Sequence, residues 1–300
     1  MNKMKISVVV PSYNAENYIA ETLRSIQRQL VEPFEVIVVD DCSTDNTVQT
    51  VKNVGWHKIR VLRNKKNMGI GFTRQRGAEV AKGEYVAFLS ADDVYDPLFL
   101  SVSTRYLDEN TATFTEYLKC DSNLKPFKTF HPPKFWNNAE FRGLVIKWAL
   151  EKNVFVNFSS VIFPRKIFEQ VKFETSLRHG EDLIFLLDSI IYGLKYCLIE
   201  KPLLLYRIHE AMGTRQIREN KEEFVMLWHF IEERLIRLGV PLSRIRKSYK
   251  KSYDYVFIPH KRIIMRGQKL IKKAIYPICG TVESFFSFFV WLLILLLTDE

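Results

Sequence analysis

The sequence predicts an α/β domain with a largely parallel sheet, followed by a basic, helical tail. Three observations carry this. From Lys5 to Leu89, short β-branched runs alternate with stretches whose apolar residues recur at helical spacing. Two of those runs end in adjacent aspartates, Asp40-Asp41 and Asp92-Asp93. Positive charge is concentrated beyond residue 233.

Lys5 to Val10 reads as the first strand, broken by Pro11-Ser12-Tyr13-Asn14. Ala15 to Leu30 places Tyr18, Ile19, Leu23, Ile26 and Leu30 at helical spacing. Glu35 to Val39 is a second strand, Thr47 to Val54 a short helix and Ile59 to Leu62 a third strand. Asn67-Met68-Gly69 is turn chemistry, and Gly71 to Ala81 is a helix. Tyr85 to Leu89 is brief, apolar and bounded by Gly83 and an acidic cluster, so it is a buried strand rather than a helix segment. Alternation of this kind implies an α/β domain with a largely parallel sheet.

Composition narrows the function. Three hundred residues with 47% apolar content bury a substantial core. The formal charge is +10, yet residues 234–300 alone carry +9, so the body is nearly neutral. The four cysteines (Cys42, Cys120, Cys197, Cys279) are far apart, which suggests neither a zinc site nor a disulfide framework and fits a reducing compartment. The apolar run Ile6 to Val10 is too short for a signal-peptide core. No Gly-x-Gly-x-x-Gly follows the first strand and no Gly-x-x-x-x-Gly-Lys-Ser/Thr occurs, which argues against dinucleotide dehydrogenases and P-loop enzymes.

Ligands of open α/β sheets bind outside the carboxyl ends of the strands, where the two Asp pairs, Asp96 and the Tyr13-Asn14 dipeptide fall. Adjacent carboxylates repel, and oxygen ligands suit Mg²⁺ or Mn²⁺. A cation there binds diphosphate without a glycine loop. The alternative is an acidic helix cap before Pro97.

Val8-Val9-Val10-Pro11-Ser12-Tyr13-Asn14, Val39-Asp40-Asp41-Cys42-Ser43-Thr44-Asp45, Asn67-Met68-Gly69, Gly83-Glu84-Tyr85 and Ala91-Asp92-Asp93 stand in the order and spacing of glycosyltransferase family 2. The resemblance continues through Asn157-Phe158-Ser159-Ser160, Leu177-Arg178-His179-Gly180-Glu181-Asp182 and Tyr206-Arg207-Ile208-His209, covering roughly residues 5–215. It implies a GT-A fold (Rossmann-like, mostly parallel sheet with flanking helices) and inverting transfer from a nucleotide-sugar donor. Tyr13 and Asp41 resemble residues that hold the nucleotide base, with Pro11, Asn14, Asp40, Arg74 and Ala91 in the same pocket. A carboxylate able to accept from uracil N3–H favours a UDP-sugar. Asp92 resembles the metal-ligating aspartate of the Asp-x-Asp motif, with Asp93 and His209 as further ligands for Mn²⁺ or Mg²⁺ and Arg207 near the diphosphate. Ser90 stands where the family usually has an aspartate, and a hydroxyl is the poorer cation ligand. Val171-Lys172-Phe173-Glu174 replaces a frequent Gly-Gly-Phe-Asp and reads as structural drift.

Thr175 to Leu187 reads as a loop entering a helix capped by Ser176 or His179, with Glu181 and Asp182 at its start. Acids there complement the helix dipole; the resemblance makes Asp182 the general base, with Glu181 beside it as a catalytic residue. Single displacement needs one such base and no protein nucleophile. The resemblance thus divides the chain into a nucleotide-sugar-binding half (1–100), an acceptor-binding and base half (101–233) and a tail (234–300). Phe135, Trp136, Trp148 and Phe155 are core residues or part of an acceptor-sugar platform.

In the tail, Glu222 to Leu238 is an amphipathic helix ending at Gly239 and Pro241. Beyond it, basic residues interleave with Tyr, Phe, Ile and Leu before the apolar run Phe285 to Leu297. Charge alone suits an anionic bilayer or nucleic acid; the apolar run decides for the membrane and against nucleic acid. At thirteen residues it is short of the ~20 that span a bilayer, so residues 244–297 read as a monotopic or re-entrant anchor on the cytoplasmic face. Packing on the catalytic domain or in a homo-oligomer is the alternative. The acceptor expected is a glycan or lipid-linked hydroxyl in cell-envelope polysaccharide or lipopolysaccharide synthesis. A non-catalytic nucleotide-sugar-binding protein or membrane adaptor is the rival reading.

Overall fold

The computed structural model describes residues 4–131, 157–210 and 221–257, together with positions 143 and 146. The expected acceptor platform (Phe135, Trp136, Trp148, Phe155) and the apolar run 285–297 lie outside the described residues. The chain divides into two units, Met1–Tyr249 and Lys250–Glu300.

The first half follows the predicted alternation: β1 (Ile6–Ser12), α1 (Ile19–Gln27), β2 (Glu35–Asp40), α2 (Thr47–Val54), β3 (Ile59–Arg63), α3 (Ile70–Val80) and β4 (Tyr85–Phe88). Then come β5 (Val94–Tyr95), α4 (Phe99–Ser103), β6 (Thr111–Cys120), β7 (Pro126–Phe130), β8 (Val161–Pro164) and α5 (Ile167–Gln170). The described chain closes with α6 (Glu181–Tyr192), β9 (Lys195–Arg207), α7 (Lys221–Arg237) and α8 (Leu242–Phe257). Their strands form one sheet in the order β3-β2-β1-β4-β8-β6-β9-β5, with β7 paired to β6.

Only part of this sheet is parallel. β3, β2, β1 and β4 run together, as expected. β8 is antiparallel to both β4 and β6, whereas β6 and β9 pair in parallel. β5 and β7 are antiparallel edges. The largely parallel expectation therefore holds for the first half, and the complete sheet is mixed. The sheet also curls. Three strands separate β4 from β5 in the sheet, yet the Tyr95 hydroxyl donates to the Phe88 carbonyl at 2.9 Å.

β1 extends through Pro11, past its predicted end. The Val9 carbonyl faces β4, accepting from Leu89 N, and by the two-residue period Pro11 faces the same way. The β1–β4 pairing stops at Val9↔Phe88, so the missing proline N–H leaves no ladder bond unmade. α1 is shorter than its pattern, because Leu30 is 70% exposed and adds nothing to the buried face of Ile19, Leu23 and Ile26. That face packs on Val8, Val10, Val36 and Val38. On the opposite sheet face, α3 comes so close that a Cβ on Gly77 would stand 2.3 Å from Val9 Cγ1. An aromatic cluster of Phe88, Phe158, Phe163, Phe168, Phe173 and Phe185 fills the space around α5 and α6, with Phe173 stacked on Phe185 at 4.5 Å. The phenylalanine of Val171-Lys172-Phe173-Glu174 is thus a core residue. Among the described residues no helix is long and apolar enough to cross a membrane.

Gly83 turns the chain into β4 directly against β1. A Cβ there would lie 2.6 Å from Ser7 N and 2.7 Å from Lys5 O, and both obstacles are backbone. Gly83→Ala is expected to destabilise the protein by ~1–3 kcal/mol, the usual cost of overpacking. The check is a urea titration, in which the midpoint falls while the m-value is unchanged.

Candidate active site

The carboxyl ends of β1, β2 and β4 share one edge because these strands are parallel neighbours. Tyr13, just beyond β1, is 49% exposed, a large ring presented at that edge. Asn14 has φ 47°, and its N–H donates to Ser43 Oγ at 2.9 Å while its Oδ1 accepts from Thr44 N at 2.9 Å. The loops after β1 and β2 are thereby stitched together. Pro11 and Ala91 are buried, the latter with its carbonyl accepting from Thr22 Oγ1 at 2.9 Å.

The paired aspartates do different work. Asp41 Oδ1 accepts from Asn64 Nδ2 at 2.7 Å and Met68 N at 2.8 Å, and Oδ2 accepts from Gly69 N at 2.8 Å. The predicted turn Asn67-Met68-Gly69 is thus folded onto this carboxylate. Asp40 is fully buried; its Oδ2 accepts from Ser43 N and faces Arg63 Nε, each at 3.2 Å, while its buried Oδ1 has no partner among the described residues. Asp40 anchors the loop from beneath.

Asp92 and Asp93 also part. Asp93 is buried, its Oδ2 accepting from Ser159 Oγ at 2.9 Å and its Oδ1 from Arg207 N at 3.1 Å. Burial, and then the neighbouring Asp92, push its carboxyl well above the usual range, against the pull of Ser159 and Arg207. Asp92 stays partly exposed, and its Oδ2 lies 2.9 Å from His209 Nε2. His209 is held by the Tyr18 ring, 4.7 Å away between centroids. Of the three expected cation ligands, Asp92 and His209 converge; Asp93 points into the protein, where its oxygens are already engaged.

Arg207, expected near the diphosphate, is a buried strut. Nε donates to Asp92 O at 2.8 Å, Nη1 to Ser122 O at 2.5 Å and Nη2 to Glu21 Oε2 at 2.6 Å, with the guanidinium over the Tyr18 ring. Arg74 is similar: buried, ion-paired with Glu181 and lying over Phe158 at 4.8 Å. Glu181 therefore faces inward, away from the catalytic position expected for it. Burial raises its carboxyl to about 7, with Arg74 opposing and Asp182 adding. Asp182 is half-buried in the first turn of α6, with Oδ1 accepting from Leu183 N at 2.7 Å. The cap of α6 is Gly180 in the left-handed region, not Ser176 or His179; the Ser176 hydroxyl donates to Glu174.

Sequence reasoning missed Tyr18, Glu21 and the role of Ser159. Ser159 gives its single hydroxyl proton to Asp93, and its oxygen accepts from Ser90 N at 3.1 Å and lies 3.1 Å from Ser90 Oγ. No local pattern marks such partners, which stand 66 or more residues away from those they hold.

The model of glycosyl transferase family 2 matches residues 7–172. Among curated proteins, the putative teichuronic acid biosynthesis glycosyltransferase TuaG of Bacillus subtilis is 31% identical over 213 residues, 67% of this chain and 80% of that one. The UDP-Glc:alpha-D-GlcNAc-diphosphoundecaprenol beta-1,3-glucosyltransferase WfgD of Escherichia coli is 27% identical, covering 85% of this chain and 98% of its own. Among solved structures, S. aureus TarS 1-349 in complex with UDP-GlcNAc superposes with a TM-score of 0.66 at 22% identity, covering 85% of this chain and 73% of that one. The mannosyltransferase PcManGT of Pyrobaculum calidifontis, in complex with GDP-Man and Mn²⁺, gives 0.53 at 16% identity, covering 90% and 86%. These two likenesses concern the fold, a mixed α/β architecture of GT-A type. On the family match, which spans more than half of its length, the chain belongs to glycosyltransferase family 2 and is a glycosyltransferase.

Proposed function

We propose that this enzyme moves a sugar, with inversion, from a UDP-linked donor to a hydroxyl of a glycan or lipid-linked acceptor in cell-envelope glycan assembly. The observation that carries the reading is the meeting of Asp92 and His209, 117 residues apart, at the strand edge to which the exposed Tyr13 and the buried Asp41 also belong. The named relatives support the setting: TuaG is a teichuronic acid enzyme and WfgD uses UDP-Glc on a diphosphoundecaprenol acceptor.

Tyr13 offers a ring face for the base. Asp41 Oδ2 has taken one donor, Gly69 N–H, and keeps acceptor capacity for a uracil N3–H. Asp92 and His209 would hold Mn²⁺ or Mg²⁺; among the described residues no third carboxylate, His or Cys joins them, which suits a cation bound by one carboxylate and substrate phosphates. Bound there, the ion supplies charge stabilisation to the departing diphosphate. Asp93 and Arg207 act behind this pair by fixing it. Asp182 accepts the proton of the acceptor hydroxyl as that oxygen bonds to the anomeric carbon and the bond to diphosphate breaks, its electron pair leaving with UDP. Arg74 and Glu181 brace the base from within. In α8, Arg244, Arg246, Lys247 and Lys250 are exposed, and no acid lies between Leu242 and Lys250, so this helix suits an anionic membrane surface.

Three outcomes test the reading. Asp182→Asn is expected to lower kcat by about 10²–10⁴, the typical worth of a general base, while UDP still raises the melting temperature. Unchanged turnover would exclude Asp182 as the base. Nucleotide release from UDP-, GDP- and dTDP-sugars, compared in Mn²⁺, Mg²⁺ and chelator, should favour a UDP-sugar, require the ion and be lost in Asp92→Asn. Co-sedimentation with phosphatidylglycerol vesicles, absent with phosphatidylcholine alone, should weaken when Arg244, Arg246, Lys247 and Lys250 are replaced by Glu, and weaken also in high salt.

A further inference from the structure

The loop that delivers α6 is held from outside by α7. Glu223, in the first turn of α7, is only 9% exposed. Its Oε1 accepts from Arg178 N at 2.8 Å and lies 3.3 Å from His179 Nδ1, 45 and 44 residues back in the chain. Four residues on, Leu227 covers Gly180, whose φ is +84°; a Cβ there would meet both Leu227 methyl carbons at 2.8 Å. Further along the same face, Arg234 grips Asp188 of α6, Nε to Oδ1 at 3.0 Å and Nη2 to Oδ2 at 2.9 Å. Glu223, Leu227 and Arg234 follow helical spacing, so one stripe of α7 meets the entry turn, the cap and the body of α6.

A plain acid at a helix N-terminus gains its dipole energy while exposed, as the neighbouring Glu222 is. Glu223 instead brings a third carboxylate towards Glu181 and Asp182, and both neighbours act to raise the Glu181 carboxyl. Each of the two buried acids is held by a specific partner, Glu181 by Arg74 and Glu223 by the Arg178 N–H with His179 beside it, so the turn between them is fixed from both sides.

We propose that Glu223 is a positioning residue for the transfer reaction. It fixes the Arg178–Gly180 turn, and through it the first turn of α6, so that the Asp182 carboxylate meets the acceptor hydroxyl. This rests on Asp182 as the base.

The test uses the full chain with Glu223→Ala, Glu223→Asp, Glu223→Gln and Asp182→Asn. Turnover is followed as UDP release from UDP-glucose and UDP-N-acetylglucosamine, and amide exchange is followed over residues 178–184. Displacing a base by an ångström costs about 10²-fold, so Glu223→Ala and Glu223→Asp should lower kcat by roughly 10–100-fold, with donor KM within about twofold and faster exchange at Arg178–Asp182. Glu223→Gln, whose amide oxygen still accepts the Arg178 N–H, should stay within about threefold of the parent in kcat and keep its exchange protection. Parent kcat and parent exchange in both Glu223→Ala and Glu223→Asp would overturn the proposal. If Glu223→Ala does not fold, Glu223→Asp decides. If neither donor is turned over, the exchange measurement decides. An active Asp182→Asn would remove the base reading separately, whatever the Glu223 variants do.

Discussion

The buried carboxylate of Asp93 is the constraint on which the rest of the site depends. It ends the turn after β4, accepts from Ser159 just ahead of β8, and accepts from the backbone of Arg207 at the end of β9. β9 is separated from the neighbouring β4 and β8 by β6, so one side chain ties strand ends that do not pair directly. Desolvating a carboxylate costs several kcal/mol, and hydrogen bonds to a charged group return about 1.5–3 kcal/mol each. Burial, and then Asp92, push its carboxyl up against the pull of these two donors. What Asp93 contributes is geometry: its position sets where Asp92 and His209 meet.

Two arginines extend the same logic. Arg207 ties the end of β9 to Glu21 of α1 and to the Ser122 carbonyl. Arg74 ties α3 to Glu181 of α6. Each lies over an aromatic ring, Tyr18 or Phe158, which shields it and adds cation–π attraction. From sequence Arg207 is expected at the diphosphate and Arg74 in the nucleotide pocket, and both are buried joints between the first and second halves of the domain. A planar guanidinium with five fixed donors suits a joint that must be met from several directions.

The first half was legible because its signals are local. β-branched runs, turn residues and the Asn67-Met68-Gly69 turn lie within a few residues of what they specify. The second half was not, since the order β8-β6-β9-β5 is decided by pairing between residues far apart, and β8 is only four residues long. Within the site, the adjacent acids were recognised as pairs but assigned together. Asp92 and Asp93 lie in the turn after β4, where the Asp93 N–H donates to the Ser90 carbonyl and the two side chains part, and neighbours on a helix are about 100° apart. Asp92 thus reaches the edge while Asp93 turns inward, and Asp182 stays half-buried while Glu181 meets Arg74. Sequence gives the residue type of such a pair; only the fold divides its roles.

Ser90 belongs to this division. Its N–H and hydroxyl both face Ser159 Oγ, whose one proton goes to Asp93. An aspartate at position 90, the usual residue of the family, would bring a second carboxylate to the same serine. One hydroxyl proton cannot serve two carboxylates, and the charge of a third neighbouring acid would oppose Asp93 further. A serine brings no charge to that position. The departure from Asp-x-Asp and the inward turn of Asp93 are thus a single choice, which under the proposed assignment leaves the cation to Asp92 and His209.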